Sequence, residues 1–376
     1  MFHDMNAGPS MYPPRSTSGA ADPRADEAIV ASVNREAEAG RKDFYDRAGA
    51  QSLAPLWRVL HGLVTETPAS AMRPALWRYA DIRPFVIESC DRISTSEAER
   101  RVLVLENPAL RGQSRITQSL FGGLQVILPG EIAPAHRHAA SALRFVIEGS
   151  GAYTAVAGER TMMHPGDFVI TPSMTWHDHG NTGSAPVIWL DGLDMHIVNL
   201  LGASFREGYP GDVHPTHRPE GAALAEAGTN MLPVDQTYGS LTSPIFNYPY
   251  ERTRDALDRL SRFRPLNPWH GHMMRYINPV NGGWAMPTIA TWMRLLPKGF
   301  DGRPYRSTDS TVFVVVEGSG RSRVGDLTFE WGPHDIFVVP TWTVHSHRAD
   351  SDAVMFTYSD RAIQDKLDLF REECLV

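Results

Sequence analysis

Apolar positions change their spacing twice along the chain. At Leu53, Leu56, Trp57, Leu60 and Val64 they recur every three or four residues, which predicts a helix with one face laid on a core. Polar, helix-favouring sequence precedes it over residues 26–49. From about Arg101 the period shortens to that of strands. Short β-branched runs occupy residues 102–105, 123–128, 144–147, 153–156, 168–171 and 187–190. Pro129-Gly130, Glu148-Gly149-Ser150-Gly151 and Pro165-Gly166-Asp167 separate them, and many short strands with such turns predict a β-sandwich or barrel. Residues 198–240 carry Gly, Pro and His with little periodicity and read as an irregular linker. Helical spacing returns at Leu257, Leu260 and Phe263.

The strand pattern then repeats. Leu128-Pro129 followed by Phe145-Val146-Ile147-Glu148-Gly149-Ser150-Gly151 is echoed by Leu296-Pro297 followed by Phe313-Val314-Val315-Val316-Glu317-Gly318-Ser319-Gly320. Gly166-Asp167-Phe168-Val169-Ile170-Thr171-Pro172 is likewise matched by His334-Asp335-Ile336-Phe337-Val338-Val339-Pro340. Internal repetition of this kind signals two copies of one β unit of roughly 100 residues each. Ser359-Asp360 ahead of Ile363, Leu367 and Phe370 predicts a capped C-terminal helix. The organisation expected is a flexible tail (1–25), a helical region (26–100), a first barrel (101–197), a linker with a helix (198–270), a second barrel (271–358) and a C-terminal helix (359–376).

Composition narrows the function. A chain of 376 residues exceeds one ordinary core, and 42% hydrophobic with 21% charged residues is the balance of a globular protein. No apolar run approaches the ~20 residues of a membrane-spanning helix. Thirty-six Lys and Arg against 43 Asp and Glu give a net charge of −7, which argues against nucleic acid as a partner. Two cysteines, Cys90 and Cys374, build neither a disulfide framework nor a thiolate zinc site and read as reduced thiols in the cytoplasm. Fifteen histidines are the unusual feature, and their placement carries the chemistry.

His136 and His138 sit two apart on a strand, so both imidazoles project to one face. His177 arrives 39 residues after His138, in Trp176-His177-Asp178-His179. Three neutral imidazoles inside a barrel would form an open-sided metal site of the kind catalysis requires. Taken alone, a His-x-His is more often a solvated pair at a strand end. Here it lies within a longer pattern that resembles the cupin family. Gly130, His136, His138 and Gly149 match the first cupin motif, and Gly166, Pro172, His177 and Asn181 the second. The usual glutamate ligand would fall near Ala142-Leu143, where neither residue can bind a metal. A three-histidine bicupin with Arg144 after the second histidine resembles the gentisate 1,2-dioxygenases and their salicylate and 1-hydroxy-2-naphthoate relatives. Further stretches that carry the likeness are Gly122-Gly123-Leu124-Gln125, residues 135–144 and 189–194, Arg275-Tyr276-Ile277-Asn278-Pro279 and residues 282–288.

That resemblance implies a mainly β bicupin fold, two double-stranded β-helix barrels with N-terminal and linking helices. It implies Fe(II) on His136, His138 and His177, a metal that three imidazoles alone do not specify. The substrates implied are an aromatic ortho-hydroxy acid and O2, in a homotetramer serving aromatic catabolism. Gentisate would be opened between C1 and C2 to maleylpyruvate. Salicylate or 1-hydroxy-2-naphthoate would keep the same metal contacts, and a non-catalytic ligand-binding cupin or a zinc or manganese isomerase fits the motifs less well.

Around the metal, Arg144 is expected to clamp the carboxylate with its planar fork. Arg100 or Arg101 could hold the acid from the other side. Gln125 could hydrogen-bond a substrate oxygen. His179, on the strand face of His177, is a candidate acid–base group, with Asp191 as its orienter or that of an arginine. Phe121, Gly123 and Trp189 would bound the aromatic ring. In the second copy, Arg303-Pro304-Tyr305-Arg306-Ser307 replaces the His-x-His while His345 and His347 remain, so that barrel is expected to be empty and structural.

Overall fold

The computed structural model describes residues 23–376. The tail expected at 1–25 therefore lies outside the described residues, except that its last three open the helix Pro23–Ala50. This helix and Leu56–Leu63 belong to a unit that ends at Glu66. The second helix forms where the apolar spacing placed it, but it lays no face on a core. Leu53, Leu56, Trp57, Leu60 and Val64 are 40–69% exposed. So short a two-helix segment has too little chain to enclose a core of its own.

The second unit, from Thr67 onward, holds both repeats. Each folds as a five-stranded sheet facing a six-stranded one across a barrel interior. In the first barrel the five-stranded sheet runs in the order Arg206–Gly208, Ile132–His138, His177–Asn181, Ala152–Val156, Glu159–Met162. Opposite it lie Asn247–Tyr248, Phe168–Thr171, Ala142–Glu148, Val187–Leu193, Phe121–Ile127 and Arg101–Val104. The second barrel repeats the plan, with Ala290–Leu296, Thr311–Glu317 and Ala353–Ser359 at the centre of its six-stranded sheet. The central strands pair antiparallel, and both barrels carry a register shift beside the Glu148 and Glu317 turns. Gly149 and Gly318 explain why the turn motif recurs. Both have positive φ (91° and 79°), and a Cβ would collide with Pro186 O in one copy and Asp352 O in the other.

Strand alternation assigns the two faces of each six-stranded sheet. Leu143, Phe145, Ile147 and Leu190 point outward from the first barrel and meet Val312, Val314, Phe356 and Tyr358 from the second in one core. Phe145 and Phe356 stack at 4.3 Å with planes 10° apart. The intervening residues face the barrel interiors, and in the first barrel these include Gln125, Arg144, Trp189 and Asp191. The barrels thus share a back wall, and the chemistry faces away from it.

Three connections differ from the sequence expectation. Residues 206–208 of the linker form a strand on the edge of the His136–His138 segment, pairing Arg206 with His138 and Gly208 with His136. Ala75–Trp77, in the N-terminal helical region, adds an edge strand to the second barrel. The C-terminal segment is helical only over Arg361–Lys366, and Glu372–Cys374 then pairs with Tyr305–Ser307. The Asp360 carboxylate makes no capping bond. It accepts from Ser119 Oγ and the Ser310 N–H instead, and the helix ends at Lys366. No helix among the described residues is long and apolar enough to cross a membrane.

Candidate metal centre

Proline inside the strand Ile132–His138 decides how the first two histidines are aimed. Pro134 has no N–H for the ladder, and the register with His177–Asn181 shifts between Ala133 and His136. After the bulge, His136 stands directly opposite His177, and His138 follows on the same face. Their rings converge: 4.2 Å between the centroids of His136 and His177, 5.0 Å for His138 and His177, 5.2 Å for His136 and His138. One nitrogen from each lies within 4.8 Å of the others. Among the described residues this is the only such group of three.

Hydrogen bonds set two of the three tautomers. His138 Nδ1 donates to Ala140 O at 2.7 Å and His177 Nδ1 to Thr175 O at 2.8 Å. The Nε2 lone pairs are therefore free, and that of His177 is buried without any partner. Burial, with the nearby arginines, holds all three imidazoles below the usual histidine range, so they are neutral. An orphaned acceptor beside two further neutral imidazoles is the donor set of a divalent transition metal, and the residues fit one.

His136 differs. Arg100 Nη2 lies 2.7 Å from its Nδ1 and also donates to Pro134 O at 2.9 Å. Arginine only donates, so Nδ1 here is the acceptor and the proton sits on Nε2. Whichever nitrogen would meet a cation, Arg100 must first release this ring. Burial pushes Arg100 down to about 10, which leaves it charged at neutral pH.

Around the imidazoles the opposite sheet presents a row of paired residues. Asp191 stands between Gly123 and Arg144, and Trp189 between Gln125 and Val146. Arg144 is 4% exposed; Nη1 donates to Thr171 Oγ1 at 2.6 Å and Nε lies 3.5 Å from Asp191. Its remaining donors have no hydrogen-bond partner among the described residues. Asp191 accepts from the Trp189 indole at 3.0 Å, and burial raises it to about 6 against the pull of Arg144. Asp191 therefore orients Arg144 and Trp189, not His179. The His179 Nδ1 meets Thr154 Oγ1 at 3.0 Å, and that hydroxyl donates to Met163 Sδ at 3.2 Å. His179 Nδ1 is thus the donor, its buried Nε2 is bare, and burial keeps the ring neutral.

Phe121, Gly123 and Gln125 project from one strand into the same interior, Phe121 opposite Leu193. Gly123 has no room for a side chain, since a Cβ would meet Val102 Cγ1 at 2.7 Å. Arg101 is placed elsewhere. It is the strand neighbour of Arg100 and so points to the other face, where its guanidinium pairs with Glu131 and donates to Ile93 O. The structure thereby takes Arg101 off the substrate side. What the sequence did not reveal is Thr154, Thr171 and the Arg206–Gly208 strand, none of which carries a motif.

In the second barrel Tyr305 stands opposite His345, as His136 stands opposite His177. His347 meets Ser322 Oγ at 2.7 Å, the counterpart of His179 and Thr154. The machinery is copied with its first two ligands replaced.

A family model described as a cupin domain matches residues 123–193 and 291–359. Gentisate 1,2 dioxygenase 1 from Aquipseudomonas alcaligenes is 54% identical over 332 residues, 88% of this chain and 96% of that protein. A 5-aminosalicylate 1,2-dioxygenase from Comamonas sp is 36% identical over 86% of this chain and 87% of that protein. Among solved structures, salicylate 1,2-dioxygenase from Pseudaminobacter salicylatoxidans superposes with a TM-score of 0.84 at 30% identity, covering 89% of this chain and 97% of that one. The same enzyme has been solved as an adduct with gentisate.

Proposed function

This chain belongs to the gentisate 1,2-dioxygenase family of bicupin ring-cleaving dioxygenases, and from that premise we propose that it is an Fe(II)-dependent enzyme opening gentisate between C1 and C2 with O2 to give maleylpyruvate. The observation that carries the reading is the trio His136, His138 and His177, three neutral imidazoles with no carboxylate among them. Such a set leaves the full charge of a divalent cation for an anionic ligand to offset. When bound, iron supplies a Lewis-acidic, redox-active centre that brings the acid and dioxygen together and lets electron density pass from ring to oxygen.

The protein's own residues do the rest. Arg144, anchored by Thr171 and Asp191, has donors left to hold the substrate carboxylate. Arg100 becomes available to the same acid once His136 is committed to the metal. The bare Nε2 of His179 can accept a hydrogen bond from the ring hydroxyl, and Thr154 holds the opposite edge of the imidazole. Gln125 offers an amide to a substrate oxygen, and Phe121, Gly123 and Trp189 wall the ring. The bond between C1 and C2 breaks and each of those carbons gains one oxygen atom. The product is therefore the substrate plus both atoms of O2, and no other co-reactant is needed. The family resemblance also supports a homotetramer, and the two unpaired cysteines suit the reducing cytoplasm.

Oxygen uptake by iron-reconstituted protein, measured with gentisate, salicylate and 1-hydroxy-2-naphthoate, tests the reading. Gentisate should give the highest kcat/KM with one O2 consumed per ring opened. Uptake with salicylate or the naphthoate at ten times the gentisate value would reassign the substrate. No uptake with any of them by fully loaded protein would remove the dioxygenase itself.

A further inference from the structure

The second barrel keeps the register of the first with different chemistry in it. In the first, Gln125 and Val146 flank Trp189 across the three central strands. In the second, Arg294 and Val315 flank Met355. The position that holds a neutral amide in one barrel thus holds a guanidinium in the other, facing the interior.

Arg294 is 5% exposed, and none of its N–H groups has a hydrogen-bond partner among the described residues. Its guanidinium carbon lies 5.0 Å from the centre of the Phe313 ring, and no carboxylate is at ion-pairing distance. The contrast with Arg144 is direct, because that arginine is equally buried but has Thr171 and Asp191. Tyr305 and Asp309 are the acidic groups that Arg294 feels, but Asp309 is beyond ion-pairing distance and its Oδ2 accepts from the hydroxyls of Ser359 at 2.5 Å and Thr311 at 3.4 Å. Burial pushes Arg294 down to about 10, so it remains a cation at neutral pH. A buried charge left unpaired is costly, and structures that retain one supply a counter-charge.

A cavity of about 40 Å³ opens where that counter-charge would sit. Arg294, Arg361, Asp309, His270, Ser307 and His345 are among its lining residues; Arg361 has Asp365 and Glu372 as ion-pair partners, so Arg294 is the guanidinium there without a direct one. Burial keeps His270 and His345 neutral, so both imidazoles add dipoles rather than charge. The volume accommodates a few waters or one small ion and excludes an aromatic ring. We propose that the second barrel is a binding site for a small monovalent anion, of halide, formate or bicarbonate size, held by an ion pair with Arg294. The barrel that lost its metal ligands would then be completed by an anion, which gives Arg294 the direct ion pair that no carboxylate among the described residues supplies.

Bromide is the direct probe. In crystals of the whole protein soaked in sodium bromide, an anomalous difference peak is expected against the Arg294 nitrogens and absent in Arg294→Met. A wild-type cavity without a peak overturns the proposal, as does a peak that persists in the variant. In solution, sodium formate should raise the wild-type Tm saturably above equal concentrations of sodium 2-(N-morpholino)ethanesulfonate, an anion too large to enter and without an aromatic ring for the first barrel. The variant should lose that difference while its metal content stays at the wild-type value. Equal shifts in both proteins would also refute the site, and should the variant fail to fold, the wild-type soak and formate titration still decide it.

Discussion

Replacing Arg100 by Met should make the protein bind its metal more tightly, although Arg100 lies beside the metal ligands and belongs to the substrate side. Its Nη2 occupies the Nδ1 lone pair of His136 at 2.7 Å, and an arginine has no acceptor form to exchange. Loading the centre must break this charge-assisted bond, which contributes about 1.5–3 kcal/mol in a partly buried setting. At about 1.4 kcal/mol per decade, Arg100→Met should raise affinity roughly 10- to 100-fold. Methionine keeps the apolar reach of the side chain and leaves His136 without a competitor. The assay is anaerobic titration of metal-stripped protein with Fe(II) against a competing chelator, with circular dichroism and Tm establishing that the variant folds. KM for the acid should rise in the same variant, because the released guanidinium is no longer there to meet a carboxylate. A folded Arg100→Met protein with equal or weaker metal affinity would refute the competition.

Three further outcomes are expected. His177→Ala should reduce bound iron from about one per chain to near none, whereas His345→Ala should leave it unchanged; metal analysis of both proteins separates the two barrels, and retention by His177→Ala would refute the ligand set. Burial raises the Asp191 carboxyl to about 6, so it is ionised above that pH and neutral below, and kcat/KM should fall as pH drops through 6 and the charge facing Arg144 disappears. Asp191→Asn should abolish that acid limb, and a wild-type profile flat through pH 6 would contradict it. Phe121→Ala should shift the ratio of kcat/KM for 1-hydroxy-2-naphthoate over gentisate upward by roughly 10-fold or more, the scale of apolar discrimination in a pocket, and an unchanged ratio would place the ring elsewhere.

Sequence alone determined the two-barrel plan, because a barrel strand alternates with period two and a turn such as Glu-Gly-Ser-Gly needs a positive φ that glycine supplies in both copies. The i, i+2 rule put His136 and His138 on one face, and the cupin resemblance added His177; the folded chain brings the three rings together. Arg144, Gln125 and Gly123 were expected beside the trio from the family resemblance, and all three lie on strands whose alternate residues face the same barrel interior. Only the tertiary structure decided between Arg100 and Arg101, which are equivalent as letters and opposite as side chains: one reaches His136 and the other is neutralised by Glu131. Hydrogen-bond partners distant in sequence settled what each titratable group does. Thr154 fixes the tautomer of His179, and Asp191 turns to Arg144 and Trp189. The helix expected to bury Leu56, Trp57 and Leu60 formed from local periodicity, but burial is a property of what packs against a face. The C-terminal helix stopped short because the chain beyond it pairs as a strand, Glu372–Cys374 against Tyr305–Ser307. Local rules set conformation one element at a time, whereas charge pairing, tautomers and burial are sums over neighbours that only the folded chain brings together.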